Sequence, residues 1–97
     1  QKDNPITLTI ASLFSLFTKL LTYHYLTDKS KNNVAAALKI NPFFVKDYEL
    51  WATRYNASRT IHIISLLRTY DMKSKGFGDT GTEPGDLLKE MIYKILH

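Results

Sequence analysis

Apolar residues recur along this chain with the period of an α-helix, and polar breaks divide them into five predicted helices. In the first, between Pro5 and Leu26, the polar residues share one narrow arc, so we expect the helix to be buried on several sides. Its polar positions are Ser12, Ser15, Lys19 and Thr22, and its apolar positions are Ile6, Ile10, Leu13, Phe14, Phe17, Leu20 and Leu21. Because hydroxyl residues and Lys19 interrupt a span shorter than the ~20 apolar residues that a bilayer requires, the pattern disfavours a transmembrane helix.

Four further helices are predicted from capping and terminating residues. Their expected ranges are Asn32 or Asn33 to Lys39, Pro42 to about Tyr55, Ser58 to about Lys75, and about Pro84 to His97. Asn41 before Pro42 gives the clearest start, because asparagine caps well and proline suits the first helical position. Gly76 ends the fourth helix, since glycine is free to take a left-handed conformation. No segment alternates with the period of a strand. The sequence therefore predicts one all-α domain over residues 1–97, a compact bundle of about five helices.

The apolar faces of the last three helices predict which side chains form the core. The expected core positions are Phe44, Tyr48, Trp51, Ala52 and Tyr55 in the third helix, Ile61, Ile63, Ile64, Leu66, Leu67 and Tyr70 in the fourth, and Leu87, Leu88, Met91, Ile92, Ile95 and Leu96 in the fifth. Five short helices cannot easily bury so much apolar circumference among themselves. Some of this surface is therefore expected to meet partner proteins.

One row on the third helix is the candidate for such a contact. Phe43, Asp47, Leu50 and Arg54 lie on the face opposite the predicted core stripe and combine apolar with paired charged side chains. A competing interpretation is an ordinary solvated face with two isolated hydrophobic residues, which are common on soluble proteins. If the aromatic stripe is buried, this row faces outward.

Composition and charge narrow the cellular setting and the class of partner. The absence of cysteine excludes disulfides and thiolate chemistry and fits the reducing cytoplasm. The first residue is Gln1 and a helix is predicted almost at once, so we expect a C-terminal fragment of a longer protein. The net charge is only +4, and positive and negative residues are mixed along the chain rather than gathered into a basic block. Lys29, Lys31 and Lys39 nevertheless leave a helical nucleic-acid-binding domain as an alternative.

Few residues offer catalytic or ligand-binding chemistry. The glycines of Gly76-x-Gly78-x-x-Gly81 match the dinucleotide-binding pattern, but they follow a helix rather than a strand, which favours a surface loop. The histidines, His24, His62 and His97, are too far apart for a local metal site. No catalytic, cofactor-binding or metal-binding residue is therefore predicted. A small helical enzyme stays open only because catalytic groups can converge in space.

Four segments carry a family resemblance through the order and spacing of their packing residues. They are Ser12–Tyr25, Asn33–Ala35, Asn41–Lys46 and Ile64–Gly76, the last with an Asp and, four residues further on, a Lys before the closing apolar helix. In these features essentially the whole chain resembles the C-terminal domain of the delta subunit of bacterial DNA polymerase III, a component of the clamp loader.

The resemblance implies a structural role in DNA replication. In that family the C-terminal helical domains of five subunits pack side by side into a collar, while clamp contact belongs to the N-terminal module of delta and ATP is bound by other subunits. The expected partners are therefore other clamp-loader subunits, with no cofactor, no small-molecule substrate, no membrane and little or no direct DNA contact. No clamp-contacting, nucleotide-binding or catalytic residue carries over to this sequence, and the expected location is the cytoplasm.

Overall fold

A computed structural model of the protein describes residues 5–77, 81 and 83–97, and these residues confirm the predicted all-α class. Five α-helices and one 3-10 turn are present in this part of the chain, without a β-strand. The elements are α1 (Pro5–Tyr25), α2 (Lys31–Leu38), the 3-10 turn Pro42–Phe44, α3 (Val45–Arg54), α4 (Ala57–Ser74) and α5 (Pro84–Leu96). Their order and approximate bounds are those expected from the hydrophobic pattern.

The first turn of α2 begins earlier than predicted. Ser30 is its N-cap, in an extended conformation and without a side-chain cap hydrogen bond. The Asp28 carboxylate accepts a hydrogen bond from the Ser30 backbone N–H at 2.9 Å, and the Asn33 side chain donates to the Asp28 carbonyl at 2.7 Å. The prediction that Asn32 or Asn33 caps α2 is therefore wrong, because Asn33 is used to hold the preceding turn.

The cap of α4 also differs from the prediction. The Asn56 side chain accepts a hydrogen bond from the backbone N–H of Arg59 at 2.8 Å, the usual bond from N-cap to third helical residue. Ser58 instead lies inside the first turn. The prediction of a Ser58 cap is wrong, whereas the predicted Asn41 cap is confirmed: the Asn41 side chain accepts a hydrogen bond from the Phe43 N–H at 2.8 Å.

Gly76 ends α4 as predicted. Its φ is 92°, its N–H donates to the Lys73 carbonyl, and the Phe77 N–H donates to the Met72 carbonyl, both at 3.0 Å. These two bonds form a Schellman motif. They satisfy carbonyl groups that a helix end otherwise leaves without partners.

Contacts divide the chain into two compact units, each with its own buried side chains. One unit contains the described residues up to Ser15 and those from Ile63 to His97; the other is Leu16–His62. The first buries Ile6, Ile10, Ile63, Ile64, Leu67, Tyr70, Leu87, Met91 and Ile95. The second buries Phe17, Leu20, Tyr23, Val34, Ala35, Leu38, Val45, Tyr48 and Thr60.

Three predicted core residues are exposed instead: Phe44, Ile61 and Leu96. Phe44 lies in the 3-10 turn, whose three residues per turn break the α-helical period, and Val45 takes the buried position. Ile61 points outward because its neighbour Thr60 is fully buried and donates its hydroxyl to the Tyr55 carbonyl at 3.3 Å. Leu96 is the last residue of α5. Trp51, Ala52 and Tyr55 are half-buried rather than fully buried.

By length and composition alone, α1 meets the requirements for crossing a membrane, with 21 residues and a mean hydropathy of 1.4 in its most apolar window. The argument that this segment is too short for a bilayer is therefore wrong. Within that window 28% of the residues are buried inside the protein. Core helices of soluble proteins and signal sequences meet the same requirements, so these properties are weak evidence for a span.

Candidate interaction surface

The segment that begins α3 holds Phe43 out in solvent. The Asn41 side chain accepts the Phe43 N–H, and Pro42 occupies the first helical position, so the backbone of this turn is fixed from both sides. The Phe43 side chain is 78% exposed, and its ring meets the Phe44 ring edge-on at a centroid distance of 5.3 Å. A large apolar group is thereby presented on an ordered backbone.

The rest of the predicted row continues along the exposed side of α3. Leu50 is 52% exposed, and Asp47 and Arg54 are exposed as well, so the predicted outward orientation of all four residues is confirmed. Asp47 and Arg54 form no ion pair with each other, since they lie two turns apart, about 10 Å along the helix. The expectation of paired charges is wrong in this respect. Use of the row as an interface remains a prediction.

The C-terminal end of α3 is held within its own unit by contacts at its C-cap residue, Tyr55. The Phe17 ring meets the Tyr55 ring edge-on at 5.4 Å, and the Tyr55 carbonyl lies 2.7 Å from Nε2 of His24. Because a carbonyl only accepts hydrogen bonds, Nε2 of His24 is the donor. Thr60 donates to the same carbonyl. The end of α3 is thus tied to α1 and α4, which keeps the exposed row in a fixed position.

A groove lies beside this row and was missed by the sequence analysis. It has a volume of about 400 Å³ and is lined by Lys31, Pro42, Phe43, Val45, Lys46 and Glu49. Phe43, Lys46 and Glu49 follow one another at intervals of three residues, a signal that the sequence does contain. The contribution of Lys31 depends on the packing of α2 against the 3-10 turn and α3, which local patterns do not reveal.

The three lysines considered for nucleic-acid binding have different surroundings. Nζ of Lys29 donates to the Leu26 carbonyl at 2.6 Å and lies 5.3 Å from the centroid of the Tyr23 ring. Lys31 is the first residue of α2, and Lys39 follows its last residue, so about 12 Å of helix separates them. Only Lys31 lines the groove. The three side chains therefore do not form one compact basic patch.

A second groove lies between α1 and α4 in the other unit. Its volume is about 290 Å³, and its lining consists of Thr7, Ile10, Ala11, Phe14, Leu67, Arg68 and Asp71. The Arg68 guanidinium lies 5.8 Å from the centroid of the Phe14 ring, and the Asp71 carboxylate pairs with the Lys75 ammonium at 3.1 Å. Both charged groups at this groove therefore already have partners within the unit.

A polar cluster connects α4 and α5. The buried Tyr70 donates its hydroxyl to the Glu90 carboxylate, which also pairs with Lys94 at 3.6 Å. Burial and this contact raise the pKa of Tyr70, and the hydrogen bond from Tyr70 lowers the pKa of Glu90. Lys73 and Lys94 lie 4.9 and 5.5 Å from the centroid of the Tyr70 ring. The cluster therefore links α4 to α5 through a hydrogen bond and stabilises their packing.

The remaining candidates for chemistry stay apart. Among the described residues, no group of three or more His, Cys, Asp or Glu side chains is placed to hold a metal ion. His24 is engaged with the Tyr55 carbonyl, and His97 stacks on the Tyr93 ring at 4.4 Å. Gly78, the middle glycine of the dinucleotide-like pattern, lies outside the described residues.

Comparison with known proteins gives no match to a family model, to a curated protein or to a solved structure. The likeness to the delta-subunit collar thus rests on the four sequence segments that carry it. The candidate surface rests on the exposure of Phe43, Asp47, Leu50 and Arg54 around an ordered α3.

Proposed function

We propose that this chain is a protein–protein assembly domain, the collar domain of a clamp-loader delta subunit. Its mechanism is shape: ordered helices hold neighbouring subunits in register, and no chemical step takes place in this domain. The observation that carries the proposal is the pair of exposed apolar side chains, Phe43 just before α3 and Leu50 within it, with the C-terminal end of α3 fixed by the contacts of Tyr55. The clamp-loader assignment comes from the sequence resemblance.

The grouping of exposed apolar side chains at and just before α3 also supports an assembly role. Among the residues that the structure describes, ten large hydrophobic side chains are about half exposed or more. They are Leu8, Tyr25, Phe43, Phe44, Leu50, Ile61, Met72, Phe77, Tyr93 and Leu96. Single exposed hydrophobic residues are ordinary, whereas groups of them are typical of interaction sites and ligand-binding grooves. Phe43 and Phe44 in the 3-10 turn, together with Leu50 in α3, supply such a group.

The test is incorporation of the full-length subunit into a reconstituted clamp loader. Because both side chains are exposed, Phe43→Ser with Leu50→Ser should leave helical circular dichroism and the melting temperature nearly unchanged. Truncated interface anchors commonly cost 2 kcal/mol or more, so incorporation should weaken by at least about tenfold. Met72→Ser with Tyr93→Ser removes comparable exposed groups from the other unit and is the matched control. Normal incorporation of a folded Phe43 and Leu50 variant contradicts the proposed contact.

Nucleic-acid binding is the alternative function, and the positive charge of one unit is the observation that supports it. Residues 16–62 contain seven Lys and Arg but three Asp and Glu, so the whole net charge of +4 belongs to this unit. Binding to phosphates releases counterions and weakens steeply with salt. Fluorescence anisotropy with a labelled single-stranded oligonucleotide distinguishes the two functions: affinity that falls by a factor of ten or more between low and physiological salt supports this alternative.

A further inference from the structure

We propose that the groove beside α3 binds an acidic segment of a partner protein, which inserts one apolar side chain against Phe43 between Lys31 and Lys46. This inference rests on the proposed assembly function and names the chemistry of one partner. The groove is distinct from the outward row: Phe43 belongs to both, whereas Asp47, Leu50 and Arg54 do not line the groove.

The shape of the groove suits a side chain rather than a flat surface. Its volume of about 400 Å³ falls within the range of sites that enclose a small ligand. Pro42, Phe43 and Val45 supply apolar lining, and Val45 is itself buried, so the floor is continuous with the core of the unit. Asn41 and Pro42 fix the backbone that carries Phe43. An entering apolar group therefore meets a largely preformed site, which limits the entropy lost on binding.

The charge around the groove selects an acidic partner. Lys31 and Lys46 are exposed and line the groove, and neither forms an ion pair with any residue that the structure describes. The unit that contains them carries the entire net positive charge of the chain. Carboxylates that flank an apolar residue on a partner would find both ammonium groups available, which favours association and orients the segment.

Glu49 favours a peptide over a nucleic acid as the occupant. Its carboxylate lines the same groove as the two lysines. A nucleic acid presents a regular series of phosphates, so one of them would meet this fixed negative charge. A peptide can place its carboxylates beside Lys31 and Lys46 and a neutral residue beside Glu49. The site therefore fits a few discrete negative charges around an apolar anchor.

The direct test is an NMR titration of the 97-residue chain, labelled with nitrogen-15, with a synthetic peptide. The probe is the capped peptide Ser-Asp-Glu-Asp-Leu-Phe-Asp-Glu-Asp-Ser. We expect saturable shifts of the amide signals around Lys31, Phe43 and Lys46, with half-saturation below about 1 mM. The absence of saturable shifts at that concentration overturns the proposal.

Three control ligands separate the contributions to binding. One replaces Leu-Phe of the probe by Ser-Ser, one replaces every Asp and Glu by Asn and Gln, and the third is a ten-nucleotide oligothymidylate. Each should bind at least about tenfold more weakly than the probe. Equal binding of the Ser-Ser peptide would show attraction by charge alone, and equal binding of the neutral peptide would show attraction by apolar contact alone. Tighter binding of the oligothymidylate would assign the groove to nucleic acid. Each of these outcomes overturns the proposal.

Variants of the chain locate the binding. Lys31→Gln with Lys46→Gln should lower the affinity for the probe peptide by at least about tenfold, and Phe43→Ser should lower it by a similar factor. Lys75→Gln with Lys89→Gln removes the same charge from the other unit and should leave the affinity within about twofold of the parent. Glu49→Gln should tighten binding, because it removes the repelling carboxylate. Unchanged affinity in the Lys31 and Lys46 variant, with its amide spectrum otherwise intact, overturns the proposed site.

Leu50→Ser keeps this test independent of the assembly test. Leu50 does not line the groove, so this variant should bind the probe normally while it weakens incorporation into the clamp loader. If Leu50→Ser weakens incorporation but the parent chain does not bind the peptide, the groove proposal is wrong and the assembly function is retained. If the parent chain binds the peptide but Leu50→Ser incorporates normally, the proposed assembly contact is wrong instead.

Discussion

Lys39 adopts a backbone conformation that suits glycine better than lysine. It closes α2 with a φ of 57°, and it is the one non-glycine residue with a positive φ among the described residues. The Ile40 N–H donates to the Ala35 carbonyl at 3.0 Å and the Lys39 N–H to the Ala36 carbonyl at 3.3 Å. These bonds hold the strained residue in place. A left-handed conformation costs an ordinary residue about 1–2 kcal/mol, and glycine avoids that cost at a smaller entropic one.

Lys39→Gly should therefore raise the free energy of unfolding by roughly 0.5 kcal/mol, although the substitution removes an exposed charge. Urea denaturation followed by circular dichroism measures the change. Lys39→Ala is the matched control: it removes the same side chain without relieving the backbone, and it should not stabilise the protein. A glycine variant no more stable than the alanine variant argues against strain at this position.

Trp51 shows how partial burial changes an expected energy. A fully buried tryptophan costs about 3–5 kcal/mol when replaced by alanine, and the sequence placed Trp51 in that class. The side chain is half-buried and meets the edge of Tyr48 at a ring distance of 5.0 Å. We therefore expect Trp51→Ala to cost about 2 kcal/mol, less than Tyr48→Ala, because Tyr48 is 7% exposed. Thermal unfolding of both variants should reproduce this order. The reverse order would show that Trp51 contributes as much as a fully buried core residue.

At the scale of elements, the sequence predicted the helices well but chose the wrong N-cap residue for α2 and for α4. The periods of α1, α4 and α5 extend over enough turns to be unambiguous. Several cap-forming residues lie close together before α2 and α4, and the choice among them depends on the preceding turn. Asp28 decides it for α2 by binding the Ser30 N–H. The groove was missed because its lining joins Lys31 to α3 across a distance in sequence that periodicity does not cover.

The link between α4 and α5 is tested by two substitutions that distinguish the contribution of the Tyr70 hydroxyl from that of its ring. Tyr70→Phe keeps the buried ring but removes the hydrogen bond to Glu90, a loss of about 1 kcal/mol for one hydrogen bond. Tyr70→Ala also opens a cavity and should cost about 3–5 kcal/mol. Hydrogen exchange of the α5 amides measures the effect locally. If Tyr70→Phe leaves that exchange unchanged, the hydroxyl contributes nothing to holding the two helices together.

For the molecule as a whole, the direction of each pKa shift predicts how stability depends on pH. Hydrogen bonds from the Ser30 backbone and side chain lower the pKa of Asp28, and the bond from Tyr70 lowers that of Glu90. Both carboxylates therefore stabilise the fold above their unfolded pKa of about 4, and this stabilisation is lost as pH falls through their folded values. Burial raises the pKa of Tyr23, Tyr48 and Tyr70. Their stabilisation is complete below the unfolded value of about 10 and is lost as pH rises through the folded values.

The free energy of unfolding should thus be nearly level from about pH 5 to 9 and fall on both sides. Urea titrations across this range measure the profile, and two variants assign its limbs. Glu90→Gln removes one titrating carboxylate, so its acid limb should be shallower. Tyr70→Phe removes the phenol with the shifted pKa and should make the alkaline limb shallower. Because the Tyr70 hydroxyl also lowers the pKa of Glu90, Tyr70→Phe should flatten part of the acid limb too. If the acid limb of Tyr70→Phe is identical to that of the parent, the Tyr70 hydroxyl does not affect the titration of Glu90 in the folded protein.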